Sequence, residues 1–223
     1  MTRAVIFDMD GVLTDSEPVI NEASIRGLRE YGVEPEPEDF IPFVGMGEDR
    51  YIGGVAEQYG LTYTLEMKRR VYEIYLEILP GKLQPFPGVH ALLARLTDKG
   101  VPLALASSAD RVKVEANLAA IGVPQATFRA LVAGEDVEHK KPAPDIFLVA
   151  AQRLEREAAQ CCVVEDALSG VQAAKAAGMR CVAVAQSFSE AELAKGGPDG
   201  VRATVADIRL EDLLGPDTPP PSR

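Results

Sequence analysis

Asp8 and Asp10 stand one residue apart, and Gly11 follows them. They come directly after an apolar run, Ala4-Val5-Ile6-Phe7, of the kind that forms a buried β-strand. Side chains of an extended segment alternate with period two, so both carboxylates leave the strand end on about the same side. Like charges that close raise one pKa unless a cation sits between them. A structural protein gains nothing from that arrangement. An enzyme that needs one carboxylate as nucleophile and a second as proton carrier gains both roles. Gly11 lets the backbone turn where a side chain would block a ligand. Taken alone, Asp-x-Asp-Gly is also an ordinary polar turn, so the reading rests on what accompanies it.

Three further groups do so. Ser107 and Ser108 end the run Pro102-Leu103-Ala104-Leu105-Ala106 and open a helix. Lys140 and Lys141 lie in a later loop, Lys141 directly before Pro142. Glu165 and Asp166 end the run Cys161-Cys162-Val163-Val164. In open α/β sheets, ligands bind at the carboxyl ends of the strands. A hydroxyl, a lysine and two acidic pairs at such places suit phosphoryl transfer. Asp8 would attack phosphorus. The oxygens of Asp8, the Asp10 backbone and Asp166 would hold Mg²⁺, with Glu165 as a further ligand or a partner of the ligands. Ser107 and its neighbouring amides would hold phosphate oxygens at a helix start. Lys141 would neutralise developing charge. Asp10 would protonate the leaving oxygen and then activate water.

The elements that position these groups are written in the same sequence. Helical spacing runs from Glu17 to about Gly32, Pro35 and Pro37 interrupt it, and two more helical stretches cover about Asp49–Tyr59 and Leu65–Leu79. Pro80-Gly81 and Pro85-Phe86-Pro87-Gly88 then punctuate. From Val89 onward, apolar strands alternate with helices at about 89–99, 111–121, 144–154 and 169–177. The strands fall at 102–106, 130–133, 161–164 and 181–185, with a sixth expected at Ala203-Thr204-Val205. Such a pattern predicts an α/β fold: a Rossmann-like, doubly wound parallel sheet covered on both faces. Residues 1–15 and 86–214 are expected to form that core, residues 16–85 an inserted all-helical cap, and residues 215–223 a disordered tail.

The chain has 223 residues, 47% hydrophobic and 26% charged, and a net charge of −11. That charge argues against nucleic acid or an anionic membrane as partner, and no apolar run approaches the ~20 residues that span a bilayer. Residues 1–15 do not read as a signal peptide. Cys161, Cys162 and Cys181, an odd number in apolar runs, read as buried small hydrophobes in a reducing compartment.

The motifs Asp8-Met9-Asp10-Gly11-Val12, Ala106-Ser107-Ser108, Lys141-Pro142-Ala143-Pro144-Asp145-Ile146-Phe147 and Val164-Glu165-Asp166-Ala167-Leu168-Ser169-Gly170 occur in that order. The chain resembles the haloacid dehalogenase superfamily of phosphatases and phosphomutases in its helical-cap branch, which includes the β-phosphoglucomutase-like enzymes. The likeness extends to about Leu214. Val44-Gly45-Met46-Gly47-Glu48, Gly53-Gly54-Val55-Ala56 and Ser107-Ser108-Ala109-Asp110-Arg111 are similar to the phosphatase-like domain of a chloroplast protein. The resemblance implies a soluble enzyme of the cytoplasm or chloroplast stroma, a monomer or weak dimer. It departs from the mutases in two ways. Pro18-Val19-Ile20-Asn21 holds no histidine where they carry one. Their cap-loop arginine has as nearest counterparts Glu48 and, two positions on, Arg50. True dehalogenases do not share the Asp-x-Asp pair, and receiver domains, which also form an aspartyl-phosphate, lack the inserted cap.

The expected function is therefore Mg²⁺-dependent hydrolysis of a small phosphorylated metabolite through an aspartyl-phosphate. A sugar phosphomutase and a phosphate-binding regulatory module without turnover are the alternatives. Asp8, Asp10, Ser107 and Lys141 are the expected catalytic residues. Asp8, Asp10, Glu165 and Asp166 would serve the metal, and Ser107, Ser108, Lys141, Arg50 and Glu17 the substrate. Glu17, Arg50, Lys68, Arg69 and Lys82 are the cap's candidates for specificity.

Overall fold

The computed structural model describes residues 4–44 and 47–215. Six parallel strands form one sheet: β1 (Ala4–Phe7), β2 (Leu103–Ala106), β3 (Ala130–Val132), β4 (Cys161–Glu165), β5 (Arg180–Val184) and β6 (Gly200–Arg202). Their spatial order is β3-β2-β1-β4-β5-β6. β1 lies at the centre, with Val5 beside Leu103 on one side and Cys162 on the other. The chain first adds strands outward from β1 on one side and then crosses to β4 on the other. That reversal opens a crevice at the carboxyl ends of β1 and β4.

Strict alternation along the strands feeds two cores. Val5, Phe7, Leu103, Leu105, Cys162 and Val164 face one way, and Ala4, Ile6, Ala104, Ala106, Cys161 and Val163 the other. The second face is dominated by alanine. Small side chains there let α6 (Asp145–Arg153) and α7 (Leu168–Ala176) lie close to the sheet. The first face is covered by α4 (Val89–Asp98) and α5 (Arg111–Ala120). The three cysteines are buried and unpaired.

Between β1 and α4 the chain is helical: α1 (Glu17–Arg29), a 3-10 turn at Pro37–Phe43, α2 (Glu48–Gln58) and α3 (Leu65–Ile78). Thr64 caps α3 by accepting the Met67 amide at 3.4 Å. Gly27 of α1 gives room to Val71 of α3, and Gly54 of α2 to the Phe43 ring. The outgoing and returning strands of chain run side by side: Thr14 Oγ1 donates to the Gln84 carbonyl at 2.7 Å, and the Phe86 amide donates to the Leu13 carbonyl at 2.9 Å. Tyr75 of α3 donates to Asn117 of α5, and Lys68 of α3 pairs with Asp110 at 2.9 Å.

One sequence expectation is corrected here. The sixth strand lies at Gly200–Arg202, three residues before the expected Ala203-Thr204-Val205. Asp207 accepts the Thr204 amide at 3.0 Å and its hydroxyl at 2.8 Å, which turns that segment into a 3-10 turn rather than a strand. Pro35 and Pro37 fall between α1 and α2, as expected, and the segment they interrupt is ordered. Asp39 accepts the Glu36 amide at 2.9 Å and the Tyr59 hydroxyl at 2.7 Å, and so builds an ordered turn against α2. Of the expected tail 215–223, residues 216–223 lie outside the described residues, as do Gly45 and Met46 of the chloroplast-like segment.

Gly88 caps α4 with φ of +91°, and a Cβ there would stand 2.6 Å from the Ala206 Cα. Gly32 has a similar φ of +83° but nothing within 4 Å. Gly32→Ala should cost only the left-handed penalty, about 1–2 kcal/mol. Gly88→Ala should cost roughly 1–3 kcal/mol more, from the backbone clash. Urea unfolding of the two variants measures the difference, and equal losses would contradict this packing.

Candidate active site

Asp8 is the first residue beyond β1, and its amide still donates to the Val164 carbonyl of β4 at 3.0 Å. The ladder therefore holds the carboxylate at the mouth of the crevice, where Asp8 is only 7% exposed. The chain then turns sharply: the Met9 carbonyl accepts the Leu13 amide at 2.8 Å, and Gly11 adopts φ of +75°. A Cβ at Gly11 would stand 1.8 Å from Asp166 Oδ2. Only glycine lets the loop after β1 approach the carboxylate that follows β4. Gln186 locks that loop by donating to the Gly11 carbonyl at 2.8 Å while accepting the Val205 amide at 3.1 Å.

Lys141 bridges the two strand ends. Its Nζ lies 2.6 Å from Asp8 Oδ1 and also contacts Glu165 Oε1, with the Phe147 ring beneath it at 5.0 Å. The other Glu165 oxygen accepts the Asp166 and Ala167 amides, each at 2.8 Å. α7 presents Gly170 to this carboxylate, where a Cβ would fall 1.7 Å from Oε1. With both oxygens engaged, Glu165 orients Lys141 and the amides behind Asp166.

Burial pushes the Asp8 carboxyl up to about 7, against the pull of Lys141 and with Glu165 and Asp10 adding repulsion. Burial also raises Asp166, with Glu165 and Asp8 as further causes. Burial works against the Lys141 charge, yet Asp8 and Glu165 keep its pKa above the ordinary value. These carboxylates crowd one ammonium and would accept more positive charge. Among the described residues no group of three or more His, Cys, Asp or Glu side chains is placed to hold a metal. Mg²⁺ asks for less, one or two carboxylates with water and a phosphate completing the shell. Asp8 and Asp166 line the same cavity, with Gly11 leaving room for Asp166, and fit that demand; the Asp10 backbone would add a neutral oxygen.

Asp10 is held differently. Oδ1 accepts the Ser16 amide at 3.2 Å and the Ser16 hydroxyl, and Oδ2 pairs with Lys113 Nζ at 3.2 Å. Lys113, on α5, is 3% exposed and also lies 3.4 Å from Glu48 Oε1 of α2. Ser107 directly follows β2, its amide tied to the Val132 carbonyl and its Oγ accepting the Ala109 amide at 3.2 Å. That leaves its hydroxyl proton for a ligand oxygen. The Ser108 carbonyl accepts Lys140 Nζ at 3.3 Å.

These groups line one cavity of about 340 Å³, with Asp8, Asp10, Ser107, Ser108, Lys141, Glu165 and Asp166 at its base. Glu17, Ile20, Glu48, Tyr51 and Lys113 line its far side. Of the cap's expected specificity residues, only Glu17 is among them. Arg50 pairs with Glu57 at 2.8 Å and lies over Phe43, Lys68 is held between Asp49 and Asp110, Arg69 between Glu66 and Glu73, and Lys82 by Glu22. Sequence reasoning missed Lys113. Lys113 and Asn117, four apart on the helix that follows the Ser107-Ser108 loop, are both buried, which only the fold reveals.

Burial pushes the Glu17 carboxyl up to about 7, opposed chiefly by Lys113. An acid whose folded pKa exceeds its unfolded value binds more protons when folded, so its contribution to stability falls as pH rises between the two values. That window runs here from about 4.5 to 7. The melting temperature of the native chain minus that of Glu17→Gln should therefore decrease from pH 5 to pH 8, measured in chelator. A difference that is flat or rises with pH would contradict the burial of this carboxyl.

A family model of haloacid dehalogenase-like hydrolases matches residues 2–178. The chloroplastic protein SUPPRESSOR OF QUENCHING 1 of Arabidopsis thaliana is 46% identical over 216 residues, covering 95% of this chain and 20% of that protein. The bifunctional riboflavin kinase/FMN phosphatase of the same plant is 31% identical, and this chain covers 55% of it. The chain thus spans about a fifth and about half of these two relatives. The phosphorylated carbohydrates phosphatase of Thermotoga maritima is 35% identical, with 95% of this chain and 96% of that one covered. The crystal structure of CbbY from Rhodobacter sphaeroides with phosphate superposes with a TM-score of 0.85 at 26% identity, covering 96% of this chain and 99% of that one. The strand order, the carboxylates and lysine at the sheet edge and these likenesses agree: the chain belongs to the haloacid dehalogenase-like hydrolases.

Proposed function

We propose that this chain is a Mg²⁺-dependent phosphatase of a small phosphorylated metabolite that works through an aspartyl-phosphate on Asp8. The observation that carries the reading is the placement of two aspartates with different partners on one cavity: Asp8 against Lys141, and Asp10 against Ser16 and Lys113. Asp8 has an oxygen fixed at the sheet edge and suits attack on phosphorus. As the bond from phosphorus to the leaving oxygen breaks, Asp10 delivers a proton to that oxygen. It then takes a proton from the water that attacks the phosphoenzyme, and inorganic phosphate leaves. Ser107 and the Ser108 amide beside it suit the phosphate oxygens, and Lys141 balances their charge. Mg²⁺, held by Asp8, Asp166 and the Asp10 carbonyl, would offset the repulsion between carboxylate and phosphate.

The relatives support the substrate class. Their names include phosphatases of FMN, of phosphorylated carbohydrates and of fructose 1-phosphate. Ile20 supports hydrolysis over phosphoryl return: it puts an apolar side chain on the cavity wall, and no histidine is among the described residues there. We take residues 16–85 as the cap that closes over the substrate and the paired connections at Thr14–Ser16 and Gln84–Phe86 as its hinge. No helix among the described residues is long and apolar enough to cross a membrane. The free buried cysteines and the chloroplastic relative fit a reducing compartment, the cytoplasm or the chloroplast stroma.

Asp8→Asn is nearly isosteric. It should abolish phosphate release from p-nitrophenyl phosphate while the thermal unfolding profile stays cooperative. Asp10→Asn should lower turnover by about 10²–10⁴-fold. Retention of more than a few per cent of activity by Asp8→Asn would rule out the covalent route. A protein with no turnover at all on phosphate esters would be the regulatory module instead.

Chelation should remove activity and Mg²⁺ restore it, while Ca²⁺, which prefers more ligands at longer distances, should support little turnover. Asp166→Ala should raise the Mg²⁺ concentration needed for half-maximal activity. Full activity in excess chelator would refute the site.

A further inference from the structure

The two aspartates of the cavity are held by different parts of the fold. Asp8 is fixed by the sheet, through its amide on the Val164 carbonyl, and by Lys141. Asp10 lies beyond the strand, and its carboxylate is tied at both oxygens to groups outside the sheet. Ser16, just before α1, donates its amide at 3.2 Å and its hydroxyl to Oδ1, and Lys113 Nζ lies 3.2 Å from Oδ2. A carboxyl tied at one oxygen pivots about that tie. Ties at both oxygens fix its plane. Proton transfer depends on such alignment, because donor and acceptor must meet at hydrogen-bond distance.

Lys113 is an unexpected residue for this task. It stands in the first turn of α5, yet it is 3% exposed, and a lysine ammonium is rarely withdrawn from water. It is held there by two carboxylates, Asp10 and, at 3.4 Å, Glu48 Oε1 of α2. Buried ion pairs of this kind contribute little stability compared with apolar packing. What the pair does fix is direction. The same face of α5 is anchored to the insertion on either side of Lys113. Asp110 pairs with Lys68 of α3 at 2.9 Å, and the buried Asn117 accepts the Tyr75 hydroxyl. The place of Lys113, and with it the Asp10 carboxylate, therefore follows the seating of the helical insertion on α5.

We propose that Lys113 is a positioning residue for the proton step: it aims the Asp10 carboxyl at the leaving oxygen, and Glu48 holds Lys113 for that purpose. The inference rests on the phosphatase reading above and deepens it. It makes a seated insertion a condition for proton delivery. Attack by Asp8, which the sheet and Lys141 fix, does not share that condition.

The test uses two esters of nearly the same shape, p-nitrophenyl phosphate and phenyl phosphate, with the full chain and Mg²⁺. The p-nitrophenolate ion departs without a proton, whereas the more basic phenolate gains from one. kcat/KM includes every step up to that departure. Asp10→Asn should lose more on phenyl phosphate than on p-nitrophenyl phosphate, which reports the proton from Asp10. Lys113→Met keeps the length and removes the charge. It should show the same bias, with the loss on phenyl phosphate greater by about tenfold or more. Glu48→Gln should show a smaller bias, and adding it to Lys113→Met should change the ratio no further, because it acts through Lys113. The double variant also removes the carboxylate that Lys113→Met leaves buried and unpaired, so it tests the role even if the single variant folds poorly. The ratio between esters cancels any general loss from a weakened fold. A bias in Asp10→Asn with none in Lys113→Met, alone or combined with Glu48→Gln, would overturn the positioning role alone. Fully additive biases would overturn the part given to Glu48. No bias in Asp10→Asn, or no release from either ester by the unaltered chain, would overturn the underlying reading as well.

Discussion

Three carboxylates, Asp8, Glu165 and Asp166, meet one ammonium, Lys141, at the carboxyl edge of a parallel sheet. All are nearly excluded from water, and the rest of the site depends on how that excess of negative charge is managed. Breaking such a buried pair by removing one partner typically costs about 3–5 kcal/mol, because the remaining charge is left uncompensated. The fold meets the demand with geometry. Strand pairing fixes Asp8 against Val164, two backbone amides take one oxygen of Glu165, and glycines at 11 and 170 clear the space for the carboxylates themselves. The remaining imbalance, expressed in the raised pKa values of Asp8 and Asp166, is what a divalent cation and a phosphate would relieve. A site of this kind is prepared for a ligand at some expense in its stability.

The second aspartate belongs to a different network. Asp10 is held by Ser16, at the start of the helical insertion, and by Lys113, which also reaches Glu48 on α2. Asp10, the proposed proton carrier, therefore shares a cation with the helical insertion. Tyr75 to Asn117 and Lys68 to Asp110 add further polar ties between the insertion and α5. Lys113 thus ties the loop after β1 to α2.

The sequence made the base of the site legible. Asp8, Asp10, Ser107 and Asp166 are read from strand exits and Lys141 from the loop beyond β3, and strand exits follow from uninterrupted apolar runs that only a doubly covered sheet can use. Five of the six strands were placed within about a residue for the same reason. β6 was not, because its three residues are only half-buried and include a glycine, so no apolar run marks them. The far side was harder to read. Lys113 in the first turn of α5 looks like any solvated lysine, and only the helical insertion, through α3 packed on α5 and Glu48 of α2, buries it. Glu48 in the first turn of a helix reads as a favourable dipole partner. Arg50, two positions on, is turned about 200° around the helix axis, away from the cavity and toward Glu57. The role of Glu165 was half visible: its sequence position marked it as near the metal, and only the geometry showed both oxygens already engaged.

The claim on which the account rests is that phosphorus passes through Asp8. The stereochemical course at phosphorus tests it most directly, with a chiral phosphorothioate ester hydrolysed in isotopically labelled water. Each in-line displacement inverts phosphorus, so attack by Asp8 followed by attack of water predicts net retention. Net inversion would mean that water attacks the substrate itself, and would contradict the account.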